Sequence, residues 1–165
     1  QINLFASLMR GVLDNSRKDY ISLAAEVKTL EDYLSMEQFC QPFSFDYGVE
    51  GMAELDAEEW LLPPMLLQPF VENAVLHGLA GRKTPGRVTI RFSVKRRRLL
   101  VIIEDDGIGR EAAAARREKR RPGHQSVALK VTEDRLQNLG GTIRFEDVAP
   151  TGTRVLLNFP VKPAW

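Results

Sequence analysis

Apolar and polar positions switch between helical and strand periods along the chain, and the switches mark the elements. Leu4, Leu8 and Val12 recur every four residues with Phe5 and Met9 beside them, so 4–15 reads as the end of an amphipathic helix. After the polar break Asn15–Asp19, Ser22 is a fair N-cap for a second helix. Its apolar stripe is Leu23, Val27, Leu30, Leu34 and Phe39, with Tyr33 and Met36 at the edges. The segment 1–40 fits a helical arm and a helix pair packed on the rest of the domain equally well. Phe43 to Val49 alternates and predicts a strand, and Ala53 to Glu59 is an acidic linker. Pro63-Pro64 opens a helical segment that stops at Gly78, with Pro69 either starting its regular part or kinking it.

Val88, Ile90, Phe92 and Val94 then share one face of a strand, and Lys95–Arg98 is a turn. Leu99 to Ile103 is a nearly continuous apolar run, read as a buried strand, and Glu104–Gly109 is a glycine-bearing turn. Arg110 to Arg121 is helix-prone, Pro122-Gly123 breaks it, and Val127 to Leu139 is a further helix closed by Gly140-Gly141. Thr142–Glu146 and Arg154–Phe159 are strands around the turn Ala149–Gly152. Several strands with segregated helices predict an α+β sandwich.

Composition narrows the class. The 165 residues suit one domain, and 44% hydrophobic with 27% charged residues excludes a disordered polyelectrolyte. A net charge of +1 argues against nucleic-acid binding by overall charge. The basic runs at 95–98 and in 110–121 lack interleaved aromatics, so no nucleic-acid partner is expected. The lone Cys40 excludes an internal disulfide framework and any multi-cysteine metal site. The longest apolar stretch, Trp60–Leu67, is far short of the roughly 20 residues that span a bilayer. The chain opens Gln1-Ile2-Asn3 without a signal peptide or initiator Met, and is expected to be a piece of a longer protein.

Three clusters carry chemistry. In Glu72-Asn73-Ala74-Val75-Leu76-His77-Gly78, Asn73 and His77 share a helix face. Leu67, Val71, Ala74 and Gly78 fall on the opposite side, suited to packing on a sheet. An Asn amide oxygen suits Mg²⁺ and an imidazole N–H suits a phosphate oxygen; a solvated polar face is the simpler alternative. In Glu104-Asp105-Asp106-Gly107-Ile108-Gly109, a carboxylate at the end of a buried strand can accept from an exocyclic amine such as that of adenine. The alternative there is a plain turn. Pro150-Thr151-Gly152-Thr153-Arg154-Val155 alone is a turn entering a strand.

Taken in order, Glu-Asn-Ala-x-x-His-Gly, Asp-x-Gly-x-Gly and Gly-Thr-x-Val resemble the ATP-binding (Bergerat-type) fold shared by DNA gyrase, Hsp90, sensor histidine kinases and MutL. That fold is a two-layer α/β sandwich. More closely, Pro63-Pro64-Met65-Leu66-Leu67-Gln68-Pro69-Phe70-Val71-Glu72-Asn73-Ala74 is similar to the signature of LytS-like sensor histidine kinases. Residues 1–40 resemble the end of their dimerisation and phosphoacceptor region, and 41–165 their catalytic domain.

The resemblance implies ATP and Mg²⁺ as ligands. Asp105 would take the adenine amine, Gly107 and Gly109 would shape its pocket, and Thr153 would line it. Asn73 would hold Mg²⁺ and His77 would face phosphate or ribose. Glu72 would be a base or only a polar neighbour. Arg110–Ser126 would be a mobile lid, with cations among Arg116, Arg117, Lys119, Arg120 and Arg121 together with Lys130 available to meet the phosphates; a solvated helix face is the simpler reading for most of these arginines. It implies γ-phosphoryl donation to a His upstream of this chain, since the family's acceptor block is absent and neither His77 nor His124 stands in such a context. The same likeness implies a homodimer, a response regulator as the next acceptor, and the cytoplasmic side of a membrane-anchored sensor.

The second glycine box departs from the usual pattern: Ser126-Val127-Ala128-Leu129 stands for Gly-x-Gly-Leu. Gly123 to Thr132 is similar to a variant found in LytS-like kinases of Bacteroidetes. A nucleotide-binding signalling module without kinase turnover is the alternative that this departure leaves open.

Overall fold

The computed structural model describes the backbone of residues 2–16, 18–120 and 127–165, and the side chains of 5–13, 18–115 and 129–165. In chain order the elements are α1 (Ile2–Ser16), β1 (Ile21–Ser22), α2 (Leu23–Cys40), β2 (Phe45–Glu50), β3 (Trp60–Leu62), α3 (Gln68–Asn73) and β4 (Gly86–Lys95). They continue as β5 (Arg98–Asp105), α4 (Arg110–Arg120), α5 (Val127–Asn138), β6 (Thr142–Asp147), β7 (Thr153–Pro160) and β8 (Lys162–Pro163). A π turn, Ala74–Gly78, and a 3₁₀ turn, Leu79–Gly81, prolong α3.

The main sheet has the order β2-β4-β5-β7-β6. Only β2 and β4 run parallel; the other pairs are antiparallel. One face supplies Val88, Ile90 and Phe92, Leu99, Val101 and Ile103, and Val155, Leu157 and Phe159 to the core. Helices α2, α3 and α5 cover it through Leu23, Leu30, Leu34, Phe70, Val71 and Leu136. This is the expected two-layer α+β sandwich. The apolar run 99–103 is only half buried: Leu100 and Ile102 lie on the outer face, because an antiparallel two-layer sheet leaves one side open to water.

Ser22 caps α2, its Oγ accepting from Ala25 N at 3.1 Å. Helix α1 pairs with α2, where Asp32 accepts from Ser7 Oγ at 2.8 Å and from Lys28 Nζ at 3.0 Å. Buried on its inner side, α2 joins the same core as the sheet, so it packs on the sandwich. A second, small sheet ordered β1-β3-β8 straps the α1–α2 junction to the C-terminal segment. Its strands are too short to show a period.

The helix expected from Pro63-Pro64 begins only at Gln68. Met65 sits at φ 62°, outside helical space, and Pro69 falls in the first turn, where its missing N–H costs nothing.

Candidate functional site

Asn73 ends α3 and His77 lies in the adjoining π turn. Such widened turns recur at functional sites. Here Asn73, Ala74, His77 and Gly78 all face one cavity, while Leu67 and Val71 are buried in the core. The helical spacing brings Asn73 and His77 together as expected. Ala74 is in the core and Gly78 packs on Asp105 of the sheet, as expected, but the spacing does not foresee that both also border the cavity.

Asp105 ends β5 opposite Thr153 of β7, and is 4% exposed. Its Oδ1 accepts from Gly107 N at 2.9 Å, and the Thr153 amide also donates to the carboxylate. Burial nevertheless pushes the carboxyl up to about 6; the two amides pull it down, and the charges of Asp106 and Glu104 add to the rise. Backbone closes tightly around it. A Cβ on Gly107 would lie 2.1 Å from Gly78 O, and one on Gly152 would lie 2.2 Å from Asp105 O. Ile108 N also donates to Gly78 O at 3.0 Å, tying the glycine turn to the end of the π turn.

The resulting cavity has a volume of about 320 Å³, within the range of small-molecule sites. Asn73, His77, Asp105 and Thr153 line it together with apolar Phe70, Ile103, Leu129 and Val155. An apolar slot with one buried anionic acceptor suits a planar heterocycle that carries an amine. Arg110, Glu133 and Phe145 complete the wall, and the Arg110 guanidinium stands 4.9 Å from the Phe145 ring centre. None of these three stands out in the sequence by motif. Glu133 is readable only as one helical turn beyond Leu129, and Phe145 only as part of an alternating strand.

Other expected residues lie elsewhere. Gly107 is in the backbone cradle under Asp105 rather than on the cavity wall. Gly109, at φ 90°, turns the chain into α4 and borders a neighbouring cavity with Pro150 and Thr151. Glu72 is one helical step from Asn73 and is not on the cavity wall; its Oε1 accepts from Gln68 Nε2 at 3.3 Å. Lys130 is likewise off the wall. It is one step round α5 from Leu129, and its Nζ pairs with Asp134 at 3.3 Å. Of the expected lid, α4 lines the cavity through Arg110, Ala113 and Ala114. Residues 121–126, and the side chains of Arg116, Arg117, Lys119, Arg120 and Ala128, fall outside those described.

The chain matches the model of the family described as histidine kinase-, DNA gyrase B- and HSP90-like ATPase over residues 63–163. It is 30% identical over 92 residues to the sensor protein LytS of Staphylococcus epidermidis, covering 54% of this chain and 15% of that protein. It is 35% identical over 74 residues to the sensor histidine kinase/phosphatase LytS of Staphylococcus aureus, covering 45% of this chain and 12% of that protein. The chain thus spans a small part of the length of these relatives. Among solved structures, the histidine kinase domain of the blue-light activated kinase of Erythrobacter litoralis EL346 aligns with a TM-score of 0.61 at 22% identity, covering 85% of this chain and 61% of that one. The Acinetobacter baumannii histidine kinase AdeS aligns with a TM-score of 0.59 at 14% identity, covering 96% of this chain and 76% of that one. The family model and the fold meet on the elements that build the cavity, and the chain belongs to the histidine kinase-, DNA gyrase B- and HSP90-like ATPase family.

Proposed function

We propose that this chain is the ATP-binding catalytic domain of a LytS-like sensor histidine kinase, donating the ATP γ-phosphoryl group to a His of the longer protein. The observation that carries the reading is the buried Asp105 carboxylate set in one cavity with Asn73, His77 and Thr153. A buried acceptor in an apolar slot gains from an amine donor, which adenine offers at the matching position and guanine does not. Asp105 takes the adenine amine, and Thr153 stands beside it through the β5–β7 pairing. Apolar Phe70, Ile103 and Val155 exclude water from the base.

Asn73 and Glu133 offer hard oxygen ligands on the cavity wall, and His77 offers a hydrogen bond to phosphate. Asn73 and Glu133 would hold Mg²⁺, which would supply neutralisation of the developing charge. Phosphoryl transfer asks little covalent chemistry of the protein. What these residues supply is orientation of ATP toward the acceptor, so no general base is assigned and Glu72 stays a polar neighbour. Among the described α4 side chains, Arg110 lines the cavity and is the cation proposed for the phosphate side. The homodimer, the response regulator as onward acceptor and the cytoplasmic, membrane-anchored setting are carried over from the resemblance to LytS-like kinases. Among the described residues no helix is long and apolar enough to cross a membrane.

The test is γ-labelled ATP given to the longer protein that includes the acceptor His. Acid-labile, base-stable label that disappears in Asn73→Ala is the expected result. ADP binding without any label contradicts the kinase and favours the non-catalytic module that Ala128 suggests.

A further inference from the structure

Glu26 of α2 is a carboxylate at 1% exposure that takes no part in the cavity. Its Oε1 accepts from Met65 N at 3.1 Å, and its Oε2 accepts from Leu66 N at 3.0 Å and Leu67 N at 3.2 Å. Those amides belong to the turn that starts α3. Leu67 is the N-cap and has no side-chain acceptor, and Pro69 has no N–H. A carboxylate from another helix therefore fills the place of the cap. It also fixes the N–H of Met65, whose φ of 62° a non-glycine residue holds only where its surroundings enforce it.

The same turn is held from the other side. Arg135 of α5 donates from Nη2 to Pro64 O at 3.2 Å, and its charge faces Glu26. Both held elements end in the cavity: α3 leads to Asn73, and α5 carries Leu129 and Glu133. Asp105 and Thr153 are carried by the sheet instead, and the α3 segment reaches Asp105 only beyond Asn73, at Gly78 of the π turn. The helical layer also keeps spare polar atoms in α2 and α3, because Tyr33 Oη and Gln68 Oε1 are buried without partners.

We propose that Glu26 is a positioning residue that couples α2 to the Mg²⁺–phosphate half of the nucleotide site, holding Asn73 through the first turn of α3. This rests on the nucleotide reading of the cavity. A buried glutamate that merely filled the core would act on stability alone; a positioning glutamate acts on the half of the site that α3 carries.

ADP affinity, measured with Mg²⁺ and again with EDTA, separates the two. In Glu26→Gln only one oxygen is left to accept. The Mg²⁺-dependent gain in affinity is expected to fall about tenfold while the EDTA value stays within about twofold. Leu30→Ala loosens α2 in the core without touching the turn, and is expected to keep the gain. An unchanged gain in Glu26→Gln, or an equal loss in Leu30→Ala, overturns the coupling and leaves the nucleotide reading intact. Failure of the wild type to bind ADP overturns the nucleotide reading and the coupling with it. Should Glu26→Gln not fold, Arg135→Gln frees the same turn from the α5 side; a reduced gain supports the coupling and an unchanged one overturns it.

Discussion

Asp105 is costly where it stands. Its carboxyl holds a proton more tightly in the folded chain, at about 6, than at the ordinary value of 3.8. Its effect on stability is therefore nil below the ordinary value and grows unfavourable as pH rises through about 6. At neutral pH the ionised group costs on the order of 3 kcal/mol. Asp105→Asn removes that charge, so its stability relative to wild type is expected to rise between about pH 4 and pH 6 and then level off, as urea titrations at several pH values would show. Ligand binding has the opposite preference, since an amine donates to the ionised form. ADP affinity of the wild type is expected to weaken about tenfold from pH 7.5 to pH 5, and that dependence should vanish in Asp105→Asn. The glycines around the carboxylate leave no slack. Gly107→Ala puts a methyl against Gly78 O and is expected to lower stability by about 1–3 kcal/mol by urea denaturation.

At the scale of elements, legibility tracks the length of the repeat. The ten residues of β4 and the eighteen of α2 carry enough period to be read, and Ser22 announces its helix. Ser22→Ala is expected to cost about 1 kcal/mol in thermal or urea unfolding and to leave ADP affinity unchanged, because the cap takes no part in the cavity. The two and three residues of β1, β3 and β8 show no period. The start of α3 is hidden for another reason: what holds its first turn is a carboxylate 40 positions earlier in the chain. The π turn is equally silent, although the motif residues Asn73 and His77 point at its neighbourhood. Asp105 and Thr153 are legible as motif positions, whereas Phe145 and Glu133 reach the cavity only through tertiary packing.

At the scale of the whole molecule, the sandwich divides the site between two layers. The sheet holds Asp105, the proposed acceptor for the base, and the helical layer holds Asn73, His77 and Glu133, the groups proposed for metal and phosphate. Under the proposed coupling, this division lets α2 act on the metal and phosphate half more than on the base pocket. It also implies that base selectivity and metal dependence fail separately. Thermal melts with ATP, ADP and GTP, with and without Mg²⁺, on wild type and Asp105→Asn test this most directly. Ligand at about 100 times its dissociation constant adds roughly 2.7 kcal/mol, a rise on the order of 5–10 °C for a domain of this size. The expected result is a rise with ATP and ADP, little with GTP, and a much smaller rise with either adenine nucleotide in Asp105→Asn. No rise at millimolar ATP, or an equal rise with GTP, would contradict the assignment of this cavity to adenine nucleotides.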